Sequence, residues 1–317
     1  MSHCNICPRQ CNIDRSVAVG FCNESDVIRI ARAAMHYYEE PCISGTEGSG
    51  AVFFCGCNLK CVFCQNAGIS QGNFNGINPS VDSGIFVKGK EVSIKKLADI
   101  FLTLQKEGAN NINLVTPSHY VLQIKEALII AKNAGLSIPV VYNTSAYELP
   151  ETLNLLDGLV DVYLPDLKYS DDTMAIKYSN APSYFEIAKK AIDEMFRQAG
   201  ECVFDEKGLI KKGVIVRHLL LPLGVNNAKG VVSYLNEKYG DKIYISLMNQ
   251  YTPIDSPYLK KAGEKYPELL RKVTKREYER LIDFVLSLNI KNAYIQEGDT
   301  ASESFIPDFD YTGVDAD

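Results

Sequence analysis

From Ala51 onward the apolar residues fall in short continuous blocks, separated by longer stretches in which they recur every third or fourth position. The blocks predict strands at Ala51–Phe54, Asn111–Val115, Ile138–Tyr142, Val160–Leu164, Val214–Leu220, Ile243–Leu247 and Ala293–Ile295. The periodic stretches predict helices over Ser93–Glu107, Val121–Ala134, Glu148–Leu156, Tyr184–Gln198, Ala228–Tyr239 and Lys275–Leu288. Leu97, Ile100, Phe101 and Leu104 mark one face of the first helix, and Pro150 suits the opening turn of the third. Strands alternating with helices of this length pair in parallel through right-handed crossovers, so one α/β domain is expected. About six strand–helix units and a closing strand fall short of a closed eight-unit barrel and predict a partial (β/α)6 TIM-type barrel. Periodicity alone also admits a doubly wound open sheet.

The chain before Gly50 reads differently. Cys4, Cys7, Cys11 and Cys22 share a stretch with Pro8, Gly20 and little periodicity, which predicts a small metal-organised Cys-rich lobe over 1–49 and the barrel over 50–317. A two-residue spacer makes Cys4 and Cys7 a tight chelate, and Cys11 and Cys22 could complete a site for a second iron-sulfur cluster or zinc, the other reading being buried or redox-active thiols. His3 is an additional candidate ligand, against the favoured reading of a disordered terminal histidine. Between Asp26 and Glu39, Val27, Ile28, Ile30, Ala31, Ala34 and Met35 suggest a strand followed by a short helix. The insertion from Gly200 to Gly213 has the pattern of a β-hairpin, expected on the catalytic rim.

Composition narrows the function. In 317 residues, 46% are hydrophobic and 23% charged, enough for a sizeable core without disulfide staples. A net charge of −6 with no basic stripe argues against nucleic acid. No apolar run is long enough for a membrane span. Met1-Ser2-His3-Cys4 has neither a charged n-region nor an apolar h-region, so a cytoplasmic location is expected. In that compartment the ten cysteines bind metals more readily than each other.

The sharpest signal is Cys57-Asn-Leu-Lys-Cys61-Val-Phe-Cys64, which follows the first confident strand. Three closely spaced thiolates leave one corner of a [4Fe-4S] cluster without a protein ligand, and such an iron can bind a small molecule. The segment Phe53 to Asn66 resembles the radical S-adenosylmethionine (SAM) superfamily, whose hallmark is this cysteine spacing with an aromatic residue before the last cysteine. The subgroup it resembles is the pyruvate formate-lyase activating enzyme-like proteins, here with an N-terminal cysteine lobe. That resemblance implies a [4Fe-4S] cluster on Cys57, Cys61 and Cys64 and bound SAM. It also implies reductive cleavage to a 5′-deoxyadenosyl radical and hydrogen abstraction from a protein, peptide or small-molecule substrate. The electron would come from a flavodoxin- or ferredoxin-type reductant. The rival reading of the cysteines alone is an iron-sulfur electron carrier or redox sensor.

In α/β barrels the reactive groups sit where strands end. Asp166 and Lys168 lie just past one strand, and Arg217 lies within the next. The resemblance makes Asp166 and Lys168 SAM-holding residues and Arg217 the clamp for the methionine carboxylate, against the plainer reading of a solvated ion pair. Phe63 is the implied adenine neighbour. His218, on the opposite face of its strand from Arg217, is expected in the core. Asn113, with Thr116 and Ser118, occupies the strand where activating enzymes carry a Gly-Gly-Glu for the methionine amino group, and this chain departs from that pattern. The departure puts glycyl radical enzyme activation in doubt. Asn143 and Ser145 are candidate ribose or carboxylate partners or helix caps. Gln250 stands where the subgroup tends to carry a histidine, and Gln296-Glu297-Gly298-Asp299 is a candidate substrate loop. Cys55, with Cys42 and Cys202, is expected to be a buried thiol outside both sets.

Overall fold

Among the described residues ten strands organise the protein: β1 (Ile28–His36), β2 (Ser49–Phe54), β3 (Lys90–Val92), β4 (Ile112–Val115), β5 (Val140–Thr144), β6 (Val162–Pro165), β7 (Val203–Phe204), β8 (Ile210–Leu219), β9 (Tyr244–Met248) and β10 (Ala293–Ile295). The computed structural model describes residues 3–72, 87–296 and 306–314. Strands β2, β4, β5, β6, β8, β9 and β10 pair in parallel in that order. The row stays open, because β10 and β2 are separated by the whole sheet. This is the partial barrel the alternating pattern predicts. β2, β4, β5 and β6 are buried at every position, as strands covered on both faces must be.

Local sequence sets the helices. Ser93 caps Ile94–Lys106 by accepting the Lys96 N–H, and Leu97, Ile100, Phe101 and Leu104 form its buried face. Thr274 and Glu277 form a reciprocal capping box at Lys275–Ser287. The stretch expected as Glu148–Leu156 is one short α-turn, Pro150–Leu153, continued as a 3-10 turn.

Two expectations are corrected. The segment after Asp26 is strand throughout: β1 pairs antiparallel with β2 on one side and β3 on the other, so its N–H groups are committed to ladders and no helix forms before Pro41. The sheet therefore crosses residue 50. The hairpin of β7 and β8 exists, with Asp205 accepting the Lys207 and Leu209 N–H groups in its turn. It stands at the N-terminal end of β8, about 23 Å along the strand from Arg217, and so lies away from the catalytic rim. Cys202 packs there beside Cys42 and Ile215.

In the connection after β5, Glu148 is fully buried. Its Oε1 accepts hydrogen bonds from Ser118, Thr144 and Tyr142, which ties the ends of β4 and β5 together. Burial pushes the Glu148 carboxyl up to about 7, against an ordinary 4.5. A raised folded-state value means that folding favours the protonated acid. Its contribution is full below about pH 4.5 and is lost as pH rises through 7, a change of about 3 kcal/mol. Urea midpoints should fall across that window, and Glu148→Gln should flatten the fall. An unchanged slope would exclude Glu148 as its source.

Candidate active site

The turn after β2 delivers the three-cysteine loop. Gly56 adopts φ 81°, and a Cβ there would stand 2.4 Å from the Glu24 side chain and 2.7 Å from the Cys22 carbonyl. Only glycine lets the chain pass so close to the N-terminal lobe. The next residue, Cys57, donates its N–H to that same Cys22 carbonyl at 3.4 Å.

Cys57, Cys61 and Cys64 line one cavity of about 230 Å³, and Phe63, Asn143, Ser145, Asp166, Lys168, Arg217 and Gln250 line it too. Burial pushes the Cys57 thiol up to about 12 and the Cys61 thiol up to about 11. Thiolates in such a place need a compensating cation or cluster. Each sulfur already has a polar neighbour: the Leu59 N–H at 3.3 Å from Cys57, the Ser179 hydroxyl at 2.9 Å from Cys61, and the Ser70 hydroxyl at 3.3 Å from Cys64. Hydrogen bonds to the sulfurs are one means of tuning a cluster's potential. Lys60, 1% exposed, donates to the Ser70 and Gln71 carbonyls, and burial pulls its pKa down to about 8. Arg9 donates to the Asn58 and Asn180 carbonyls and lies 3.8 Å over the Phe21 ring. Two cations thus stand between the loop and the lobe, and the donor set fits an anionic cluster.

Among the described residues no three His, Cys, Asp or Glu side chains converge on a position for a single metal ion. Zinc requires every ligand sulfur about 2.3 Å from one point, whereas a cubane spreads its thiolates over different irons. In the lobe, a Cβ added at Gly20 would lie 3.4 Å from the Cys22 sulfur and 3.5 Å from that of Cys11. Cys7 is close enough to feel the charges of both, though burial dominates in pushing its thiol up to about 12. Cys4 lines a cavity with His3, Arg15 and Asp26, and its backbone pairs with Asn12 and Ile13 just after Cys11.

At the strand ends, Asp166 takes Lys168 Nζ at 2.6 Å and Arg217 Nε at 2.7 Å. Burial opposes ionisation of Asp166, but the Arg217 and Lys168 charges hold its carboxyl below the usual range. Burial likewise works against Arg217 and Lys168, and the facing carboxylates keep both above their ordinary values. Arg217 also donates to Asn143 Oδ1 at 2.6 Å and to Glu39 Oε2 at 2.9 Å.

Glu39 is the residue the sequence reading missed. It lines the cavity from the connection after β1, and its Oε1 accepts from Asn113 at 2.9 Å and Asn143 at 3.2 Å. Asn113 thus stands behind Glu39 and is itself absent from the wall. Neither Asn143 nor Ser145 caps the following helix, which starts at Pro150 after an uncapped Leu149. Gln250 is fixed by Gln296, whose amide donates to it at 2.9 Å. Thr116 reaches the wall, whereas Ser118 turns to Glu148. His218 is buried against the Leu167 carbonyl, as its strand position predicts. Cys55 is buried among Ala31, Ala51 and Phe53, and Phe53 itself lines the cavity. Glu297, Gly298 and Asp299 lie outside the described residues. Among the described residues no helix is long and apolar enough to cross a membrane.

Residues 51–205 match the model of the Radical SAM superfamily. An uncharacterized protein of Methanocaldococcus jannaschii, MJ0674, is 29% identical over 296 residues, covering 92% of this chain and 77% of its own. Among solved structures, SuiB of Streptococcus suis is similar at 15% identity and a TM-score of 0.49, covering 79% of this chain and 48% of its own. HydG, a maturase of the [FeFe]-hydrogenase, is similar at 13% identity and a TM-score of 0.47, covering 75% and 48%. This chain spans about half the length of those two proteins.

Proposed function

We propose that this chain, which belongs to the radical SAM superfamily, binds a [4Fe-4S] cluster on Cys57, Cys61 and Cys64 and SAM in the cavity beside them. When bound, that cluster supplies the electron that splits the sulfonium into methionine and a 5′-deoxyadenosyl radical, which takes hydrogen from a substrate. The observation that carries the reading is the one cavity lined by the three cysteines together with Asp166, Lys168 and Arg217.

The protein's own part is positioning and exclusion of water. Phe63, 7% exposed and edge-on to Tyr251, gives the wall beside the cysteines an apolar surface for a purine. Asn143 and Ser145 offer amide and hydroxyl groups for a ribose, and Gln250 offers an amide held by Gln296. Lys168 and Arg217 add positive charge for a carboxylate. Cys7, Cys11 and Cys22, with Cys4, are assigned to a second metal centre. A flavodoxin- or ferredoxin-type protein is the proposed reductant. The substrate is a protein, peptide or small molecule, glycyl radical enzyme activation being the narrowest form of the proposal.

The test is anaerobic reconstitution with iron and sulfide, then reduction by dithionite in the presence of SAM. Formation of 5′-deoxyadenosine and methionine is expected. A reduced, iron-loaded chain that leaves SAM intact would behave as an electron carrier, and the proposal would fall.

A further inference from the structure

Two cations beside the cysteine loop stand, among the described residues, without a carboxylate partner. Lys60 lies inside the loop itself, between Cys57 and Cys61, and is 1% exposed. Its ammonium is taken up by carbonyls, those of Gln71 at 2.7 Å and Ser70 at 3.3 Å, and lies 5.6 Å from the centre of the Phe21 ring. Arg9 comes from the N-terminal lobe and also donates to carbonyls, from Nε to Asn58 at 2.7 Å and from Nη2 to Asn180 at 2.6 Å. Because Asn58 belongs to the loop, this guanidinium reaches across from the lobe onto the backbone between the first two cysteines. Lys168 and Arg217, by contrast, are both paired with carboxylates.

A charge withdrawn from water is costly unless an opposite charge faces it. Sulfurs are the groups placed to supply one. Cys57, Cys22 and Cys64 bear electrostatically on Lys60, and Cys7, Cys57 and Cys11 bear on Arg9 together with the Tyr147 phenol. As neutral thiols they compensate nothing, whereas as metal ligands they are thiolates. Cys57 is common to both cations, so both act on the loop's own centre. A cation fixed beside a redox centre favours the form holding one more electron, and so raises its potential.

We propose that Lys60 and Arg9 are fixed counter-charges of the cluster on Cys57, Cys61 and Cys64 and raise its reduction potential, so that the lobe sets part of the redox poise of a centre it does not ligate. The assignment rests on the proposed cluster site. The plainer role for Lys60 is a tie between the loop and the end of the short helix Ala67–Ser70. A tie of that kind would change stability and leave the potential where it was.

The experiment is a potentiometric titration of the full, anaerobically reconstituted chain, of Lys60→Gln and of Lys60→Arg, read by electron paramagnetic resonance. The signal followed is the one that SAM perturbs in a parallel sample. At the midpoint potential of the unaltered chain, Lys60→Gln should show a reduced-to-oxidised ratio lower by on the order of tenfold, a midpoint lower by about 59 mV. Lys60→Arg keeps the charge and should stay within about twofold. A ratio in Lys60→Gln that is unchanged or higher overturns the assignment, and so does an equal drop in Lys60→Arg. Should Lys60→Gln fail to load iron, Arg9→Gln takes its place with a drop in the same direction expected. Iron loss in both makes the cations requirements of assembly and overturns the assignment. An unaltered chain with no signal that answers to SAM overturns the site reading with it.

Discussion

Replacing Cys61 with alanine is expected to lower 5′-deoxyadenosine formation on the order of a thousandfold or more, while the chain without cluster unfolds nearly as before. The reasoning separates two roles of one sulfur. As packing, Cys61 is a small buried group whose removal costs about 1 kcal/mol. As one of the three proposed ligands it would carry a third of the cluster's protein attachment, and its loss would leave two thiolates to hold it. Iron and sulfide per chain should drop together with activity. Cys55→Ala supplies the contrast, because Cys55 is also buried but packs among Ala31, Ala51 and Phe53 and does not line the cavity. It should keep its iron. Equal iron loss in both variants would mean that alanine acts through the fold, and the ligand assignment would be withdrawn.

Both variants test one feature of the architecture: the loop gathers its thiols where the sheet has already placed charges. Asp166 and Arg217 sit on adjacent parallel strands and are bridged in the backbone as well as through their side chains. Asn143, one strand further along, is bonded to Arg217 from the other side. Parallel pairing puts the C-terminal ends of successive strands at one edge, so residues far apart in sequence become neighbours without a dedicated loop. The N-terminal lobe then closes that edge, with Glu39 salt-bridged to Arg217 and the Cys22 carbonyl bonded to Cys57.

That edge explains what could be read from the residues and what could not. The apolar blocks located the parallel strands because a strand buried on both faces leaves a continuous run, and the cysteine spacing located the loop because its ligands are local. Asp166, Lys168 and Arg217 were visible as polar breaks at the ends of apolar runs. Glu39 gave no such signal. It lies in Tyr37-Tyr38-Glu39-Glu40, where nothing distinguishes it from a solvated turn, and its partners Asn113, Asn143 and Arg217 are 74, 104 and 178 residues away. β1 was misread in part for a related reason: its ladder partners include β3, which comes after the cysteine loop. The hairpin was recognised from its turn, but a turn does not say at which end of the next strand it stands.

The largest effect away from the cysteines is expected at Asp166. Its side chain is 19% exposed, and those of Lys168 and Arg217 are 18% and 13% exposed, so the three charges are largely withdrawn from water. Asp166→Asn preserves shape and removes the charge between two cations. Arg217 keeps Glu39, whereas Lys168 is left facing Arg217 with no bonded carboxylate. Breaking one member of a buried charge set costs about 3–5 kcal/mol, which corresponds to a melting midpoint lower by roughly 5–10 °C. SAM affinity should fall with it, because both cations lose their fixed orientation. Lys168→Met separates repulsion from lost positioning. If repulsion dominates, the double variant Asp166→Asn, Lys168→Met should recover much of the stability lost in Asp166→Asn but little of the affinity. Additive losses in both measurements would show that the two groups act independently, contrary to the 2.6 Å contact between them.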